Sequence, residues 1–252
     1  IKNKVVIVRD ILGVKPLFYS YTVDDFMFSS EAKVLEKIGC NDLQELNPRQ
    51  LMTYDLIKKK LSFKNRSFFE VQPEHKLKPS VLKHKLSDYL DKAIQKRLPN
   101  QKVALLFSGG IDSTFIAHYF KKNNVDFTCY TTVLDTDTAI PEDLTYAKKI
   151  AKELGLNHKI RSIKLEDIPA YLKKIVPLIE DNNVTKVGVA LTFYLACELA
   201  KEDGCKIIFS GLGSEEIFAG YDRHKQSGNI NQECISGLIK MYERDLYRDD
   251  VL

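Results

Sequence analysis

"LLFSGGIDST" (105–114) runs from an apolar stretch through Ser108, Gly109 and Gly110 to an acid, Asp112. The residues leading in, "VALLF" (103–107), are continuously apolar, the pattern of a strand covered on both faces. Downstream, Phe115, Ile116, Tyr119 and Phe120 recur at helical spacing. The stretch therefore predicts strand, glycine turn, helix. Gly109 and Gly110 are expected to take positive φ and bring the backbone close to an anion. The N–H groups opening the helix would face that anion with the positive end of the helix dipole. Ser108 and Ser113 add hydroxyl groups. Asp112 has two readings: a carboxylate beside phosphates fits a Mg²⁺ ion held between them, and an acid at a helix start is also favourable to the dipole alone.

Spacing excludes two common phosphate loops. No Lys follows the glycines in the GxxxxGK[ST] register, and no GxGxxG fingerprint is present. A second stretch repeats the equipment of the first: "FSGLGSEE" (209–216) again joins apolar residues, a Ser-Gly turn and acids. Between the two the pattern alternates. "FTCYTTVL" (127–134) and "NHKIRSIKL" (157–165) read as strands, and "CKIIFS" (205–210) as a last one. Leu144, Ala147, Ile150, Ala151 and Leu154 mark a helix closed by Gly155 at a C′ position. Further helices are expected over 166–180 and 189–203, and "SEEIFAGY" opens another. Strand and helix in alternation predict an α/β fold, a parallel sheet with helices on both faces. Ligands of such sheets bind beyond the carboxyl ends of the strands.

Residues 1–71 read as a separate β-rich domain. "KVVIVRD" (4–10), "PLFYSYT" (16–22), "DFMFSSE" (25–31) and "QLMTYDLIKKKLSF" (50–63) follow in quick succession, which predicts antiparallel pairing. A short helix is expected over 31–38, capped by Ser30. The second domain spans 72–252. It begins with a linker (72–79) and a connecting helix (78–98), in which Leu82, Leu86, Tyr89, Leu90, Ala93, Ile94 and Leu98 form an apolar stripe after Pro79.

The 252 residues carry 44% hydrophobic and 29% charged side chains, an ordinary globular composition. No apolar run approaches the roughly 18 residues of a membrane span, and no membrane partner is expected. The formal charge of +4 comes from scattered lysines, so no nucleic-acid partner is expected either. The five cysteines form no CxxC pair, which fits free thiols in a reducing cytoplasm.

"SGGIDS" resembles the pyrophosphate-binding loop of the N-type ATP pyrophosphatases. "SGLGSEEIFAGY" (210–221) resembles the SGxGSDExFGGY stretch of glutamine-dependent asparagine synthetases. "RDILGVKPLFY" (9–19), "SSEAKVL" (29–35) and "DLTYAKKIAKELGLNH" (143–158) resemble further elements of that family, in the family's order across nearly the whole chain. The resemblance implies an adenine nucleotide α-hydrolase-like sheet preceded by part of an Ntn-type glutaminase domain. It implies ATP and Mg²⁺ as cofactors, with aspartate, glutamine and ammonia as substrates. ATP would adenylate a carboxylate with release of pyrophosphate, and ammonia would form the amide.

Residue by residue, the resemblance gives Ser108, Gly109, Gly110, Asp112 and Ser113 the phosphates and Mg²⁺, and Ser210 and Gly211 the nucleotide. Glu215 matches an Asp that joins Asp112 on the metal. Glu216 matches the next acid, which either acts catalytically or supports the turn. Leu106, Thr132 and Val133 match the adenosine pocket, ordinary sheet core being the alternative. Asp143 matches an acid near the phosphates, a plain helix-start charge being the alternative. Two positions depart from the pattern: Leu212 stands where the family has Glu, and Glu215 where it has Asp. A different acceptor carboxylate, as in β-lactam-forming relatives, therefore stays open, as do an RNA-modifying pyrophosphatase and a nucleotide-binding module without catalysis. The glutaminase nucleophile, an N-terminal Cys, has no counterpart in Ile1, and "YERDLYRDDVL" (242–252) resembles a segment inside the family's sequence. The chain is thus expected to be a fragment with weak ATP–Mg²⁺ binding in isolation. Its oligomeric state is open, a homodimer being one form.

Overall fold

The computed structural model describes residues 3–67, 76–135 and 142–240, without the side chains of Glu142, Asp143 and Lys240. Residues 72–75 of the expected linker (72–79) and the stretch 242–252 lie outside the described residues. The chain divides into two compact units. One holds 3–67, 178–182 and 215–240; the other holds 76–135, 142–177 and 183–214.

In the first unit, β1 (Lys4–Val8), β5 (Gln50–Asp55) and β6 (Lys60–Asn65) make one antiparallel sheet, ordered β1-β5-β6. A second sheet, ordered β3-β2-β4, joins β2 (Phe18–Tyr21), β3 (Phe26–Ser29) and β4 (Gln44–Glu45). Ile7 and Met52 from one sheet meet Tyr19 of the other, and Leu46 just after β4, in a common core. The hairpins match the sequence expectation. The "RD" of "RDILGVKPLFY" (9–19) proves architectural. Arg9 is buried, and its guanidinium donates to the carbonyls of Lys15, Gly13 and Leu46 and to Glu45 at 2.7–2.9 Å. Asp10 gathers the N–H groups of Leu12, Val14 and Lys15. The expected helix forms as α1 (Ala32–Lys37), but Ser30 is not its cap. The carboxylate of Glu180 accepts from the N–H groups of Ala32 and Lys33 at 3.0 and 2.8 Å.

In the second unit, α2 (Pro79–Gln95) starts with Pro79 at the first turn, as expected, although Ile94 is its one buried residue. Leu86 and Tyr89 of its apolar stripe are exposed. Strands β7 (Val103–Leu106), β8 (Phe127–Asp135), β9 (His158–Lys164) and β10 (Ile208–Phe209) form an all-parallel sheet in the order β10-β7-β8-β9. Helices α3 (Ile111–Lys122) and α4 (Glu142–Glu153) cover one face, where Val103, Leu105, Phe107, Phe120, Cys129 and Ala147 are buried together. On the other face, Ala196 and Ala200 of α6 (Val184–Glu202) pack on Ala104 and Tyr130.

The parallel α/β sheet predicted from alternation is therefore present. Gly155 ends α4 with φ of +59°, the left-handed conformation of a C′ residue. The helix expected over 166–180 is α5 (Ile168–Ile179). The one expected from 189 begins earlier, at Val184, because Asn183 accepts from the N–H groups of Thr185 and Lys186 as its cap. The strand expected over 205–210 shortens to the two residues of β10, where pairing with β7 is made. The last segment breaks into α7 (Ser214–Phe218), α8 (Asp222–Gln226) and α9 (Ile230–Lys240). Among the described residues, no helix is long and apolar enough to cross a membrane.

Candidate active site

From β7 the chain proceeds to β8 and β9 on one side, while β10 returns to the other side of β7. The order of strands thus reverses at β7, and the crevice at such a switch point is where open α/β sheets bind ligands. Phe209 lies beside Leu105 in the parallel register. The two Ser-Gly loops consequently leave adjacent strands in the same direction. They also touch: a methyl group at Gly211 would lie 2.8 Å from Cβ of Asp112 and 3.4 Å from the nitrogen of Ser113.

The first loop is tied internally. The Ser108 hydroxyl accepts from the N–H of Gly110 at 3.2 Å and lies 3.3 Å from the Ser113 hydroxyl. Ser113 Oγ donates to the Gly110 carbonyl, and Thr114 Oγ1 to that of Gly109. Gly109 has φ of +75°, and a Cβ there would meet Cα of Ala147 in α4 at 2.8 Å. Conformation and close packing both demand glycine. Gly110 corrects the sequence expectation: its φ is −63°, an extended N-cap geometry open to any residue. What glycine contributes there is the lack of a side chain, since a Cβ would come within 3.2 Å of Ser108 Oγ. The cap offers no side-chain acceptor to the N–H groups of the first turn, and Thr114 makes the first helical bond, to Gly110. Asp112 sits in this first turn, half-buried, with Ser113 buried beneath it.

In the second loop, the Ser210 hydroxyl accepts from the N–H of Leu212, and Ser214 Oγ donates to the Gly211 carbonyl at 2.7 Å. Leu212 is exposed. Leu106 is half-buried against the Ala104–Tyr130 core. Thr132 and Val133 are half-buried on the part of β8 that extends past the end of β7. Asp143 opens α4, and its side chain lies outside the described residues.

Glu215 and Glu216 belong to the first unit. Glu215 is half-buried at the start of α7, and Gly220 donates its N–H to the Glu215 carbonyl at 3.0 Å. Glu216 is buried; its Oε1 accepts from the Tyr221 hydroxyl at 2.9 Å, while Oε2 has no hydrogen-bond partner among the described residues. Burial, and then this bond to Glu216, push the Tyr221 phenol well above its ordinary range.

Two residues beside the first loop were not singled out by sequence reasoning. Thr131 donates its hydroxyl to the carbonyl of Phe107, and its oxygen lies 2.7 Å from His158 Nε2. Burial, and secondarily the charge of Lys148, lower the His158 pKa. The only sequence signal was the placement of His158 at the end of the "LGLNH" segment.

Compared with models of known families, residues 85–247 match asparagine synthase. The chain belongs to the asparagine synthase family. Its residues 1–89 match a glutamine amidotransferase domain. Among curated members of the asparagine synthase family, a putative glutamine-hydrolysing asparagine synthetase of Methanocaldococcus jannaschii is 32% identical over 271 residues, covering 99% of this chain and 49% of that protein. The glutamine-hydrolysing asparagine synthetase of Bos taurus is 28% identical over 278 residues, with coverages of 99% and 49%. The chain spans about half the length of the curated relatives it matches. Among solved structures, the NH3-dependent NAD synthetase of Campylobacter jejuni aligns with a TM-score of 0.37 at 19% identity, covering 57% of this chain and 61% of that one.

Proposed function

We propose that this chain carries the nucleotide-binding part of an ATP-dependent amidotransferase, which adenylates the side-chain carboxylate of aspartate and passes the acyl group to ammonia drawn from glutamine. One observation supports this reading above the others: two Ser-Gly loops stand in contact at the switch point of the parallel sheet, with Asp112 at the contact. Membership of the asparagine synthase family supports the amide-forming chemistry. The match to a glutamine amidotransferase domain supports reading residues 1–71 as part of a glutaminase-like domain and 72–252 as the synthetase domain.

The residues fit polyphosphate. The turn through Ser108, Gly109 and Gly110 carries no bulky side chain, and the N–H groups at the start of α3 supply donors for negative charge. Ser113 orients the Ser108 hydroxyl from below. Ser210 and Gly211 bound the nucleotide on the β10 side, and Leu106, Thr132 and Val133 line the place of the adenosine. Among the described residues no three metal-ligating side chains gather. One carboxylate suffices for Mg²⁺, which takes one or two protein oxygens and the rest from phosphates and water; Asp112 would provide it. Bound there, Mg²⁺ would supply charge neutralisation for the polyphosphate. Asp143, Glu215 and Glu216 enter the proposal through the family resemblance alone.

The test is pyrophosphate release with ATP, Mg²⁺, ammonia and a panel of carboxylic acids. Asp112→Ala should remove the activity, a loss of at least about 100-fold as for other charge-stabilising groups; unchanged release would eliminate the metal role. Leu212 favours a second reading. An exposed apolar side chain stands where the family pattern has an acid, so an acceptor other than aspartate is the alternative, and turnover of another acid in the panel without aspartate would establish it.

A further inference from the structure

Phe107 is the last residue before the first loop, and both of its backbone polar groups are held by β8. Its N–H donates to the Tyr130 carbonyl at 2.8 Å, as in a parallel ladder. Its carbonyl accepts from the Thr131 hydroxyl. A hydroxyl has one proton to give, so the 2.7 Å contact between Thr131 Oγ1 and His158 Nε2 must be donated by the imidazole. His158 is thereby assigned its Nε2–H form, and its lowered pKa accords with a neutral ring. The same ring meets the Phe107 ring edge-on, with centroids 5.6 Å apart. The line from β9 through β8 to the end of β7 is continuous, and Thr131 is buried.

We propose that Thr131 and His158 are positioning residues for the nucleotide loop: Thr131 holds the carbonyl from which the loop departs, and His158 acts through Thr131 by fixing its hydroxyl rotor. The physical need is specific. The chain reverses at Gly109 within two residues of Phe107, and Gly109 packs on Ala147 with no space to spare. A carbonyl left unheld at Phe107 would let the loop rotate about the strand end, and its N–H groups would lose their common aim. His158 touches the loop's anchor, not the loop. In binding terms the proposal rests on the functional reading above.

Two measurements on the full chain test it, with Thr131→Val, Thr131→Ser, His158→Leu, His158→Gln and the Thr131→Val/His158→Leu double variant. Hydrogen exchange of the amides of residues 107–110, without nucleotide, reports the loop itself. Titration with ATP–Mg²⁺ reports binding. Thr131→Val is expected to speed loop exchange and weaken ATP binding roughly tenfold, the effect of one buried hydrogen bond. His158→Leu should act in the same direction by about threefold, and the double variant should be no worse than Thr131→Val, because one residue works through the other. Thr131→Ser keeps a hydroxyl, and His158→Gln keeps a donor near the Nε2 position; both should restore exchange and binding. Unchanged exchange in Thr131→Val, additive effects in the double variant, or failure of His158→Gln to restore what His158→Leu loses would each overturn the proposal. Faster exchange with rescue, in a chain that binds no ATP, would support the positioning role and defeat the nucleotide reading instead.

Discussion

Gly211 is a residue whose importance is steric. Its φ is not in the left-handed region, so conformation does not require glycine; the neighbouring loop does. A Cβ placed there would stand 2.8 Å from the Cβ of Asp112, a separation that forces backbone apart because neither atom is a flexible end. Gly211→Ala is expected to cost about 1–3 kcal/mol through overpacking and to displace Asp112. Chemical denaturation and ATP titration would measure both; a variant with wild-type stability and affinity would show that the loops need not touch. At the same scale, Glu216 reads differently from Glu215. It is buried where Glu215 is half-buried, and its carboxylate accepts from Tyr221, which suits support of the turn.

Elements here are held by groups that local sequence does not supply. Helix α1 has no side-chain cap of its own, and its first N–H groups are taken by Glu180, 148 residues away at Ala32. Glu180→Ala should lower stability by about 1–2 kcal/mol, the usual worth of a cap strengthened by charge, read as a shift in urea midpoint without change of slope. The loop after β1 gives a pH prediction. Burial alone would raise the Asp10 pKa, but hydrogen bonds from Lys15, Val14 and Leu12, with the charge of Arg9, outweigh it and leave the pKa lowered. A lowered carboxylate contributes stability that is complete above its unfolded pKa of about 3.9 and is lost as pH falls through the folded value. Unfolding followed between pH 7 and pH 2 should show this loss below about pH 4, and Asp10→Asn should flatten that part of the curve. An unaltered acid limb in the variant would remove Asp10 as its source.

On the scale of the whole molecule, much of the architecture was legible in local pattern. Continuous apolar runs such as "VALLF" announced strands covered on both faces, and the quick succession of aromatic strands before residue 66 announced antiparallel hairpins. The connecting helix α2 shows the limit. Its apolar stripe has the right period, yet Leu86 and Tyr89 are exposed, since period reports a face and not what covers it. β10 shows another: six apolar and polar residues looked like a strand, and two of them pair.

The sequence by itself determined the chemistry of each loop: glycine at 109, hydroxyls at 108 and 113, an acid in the first turn of a helix, and the order of motifs that marks the family. These follow from neighbours within a few residues, where backbone geometry and side-chain type act directly. Tertiary structure alone decided that β10 returns beside β7, that Gly211 presses on Asp112, that Glu180 caps α1, and that Thr131 and His158 hold the carbonyl of Phe107. Each of those is a contact between residues distant in the chain. Such contacts leave no local period to read, and they exist only once the sheet has brought its strands into register.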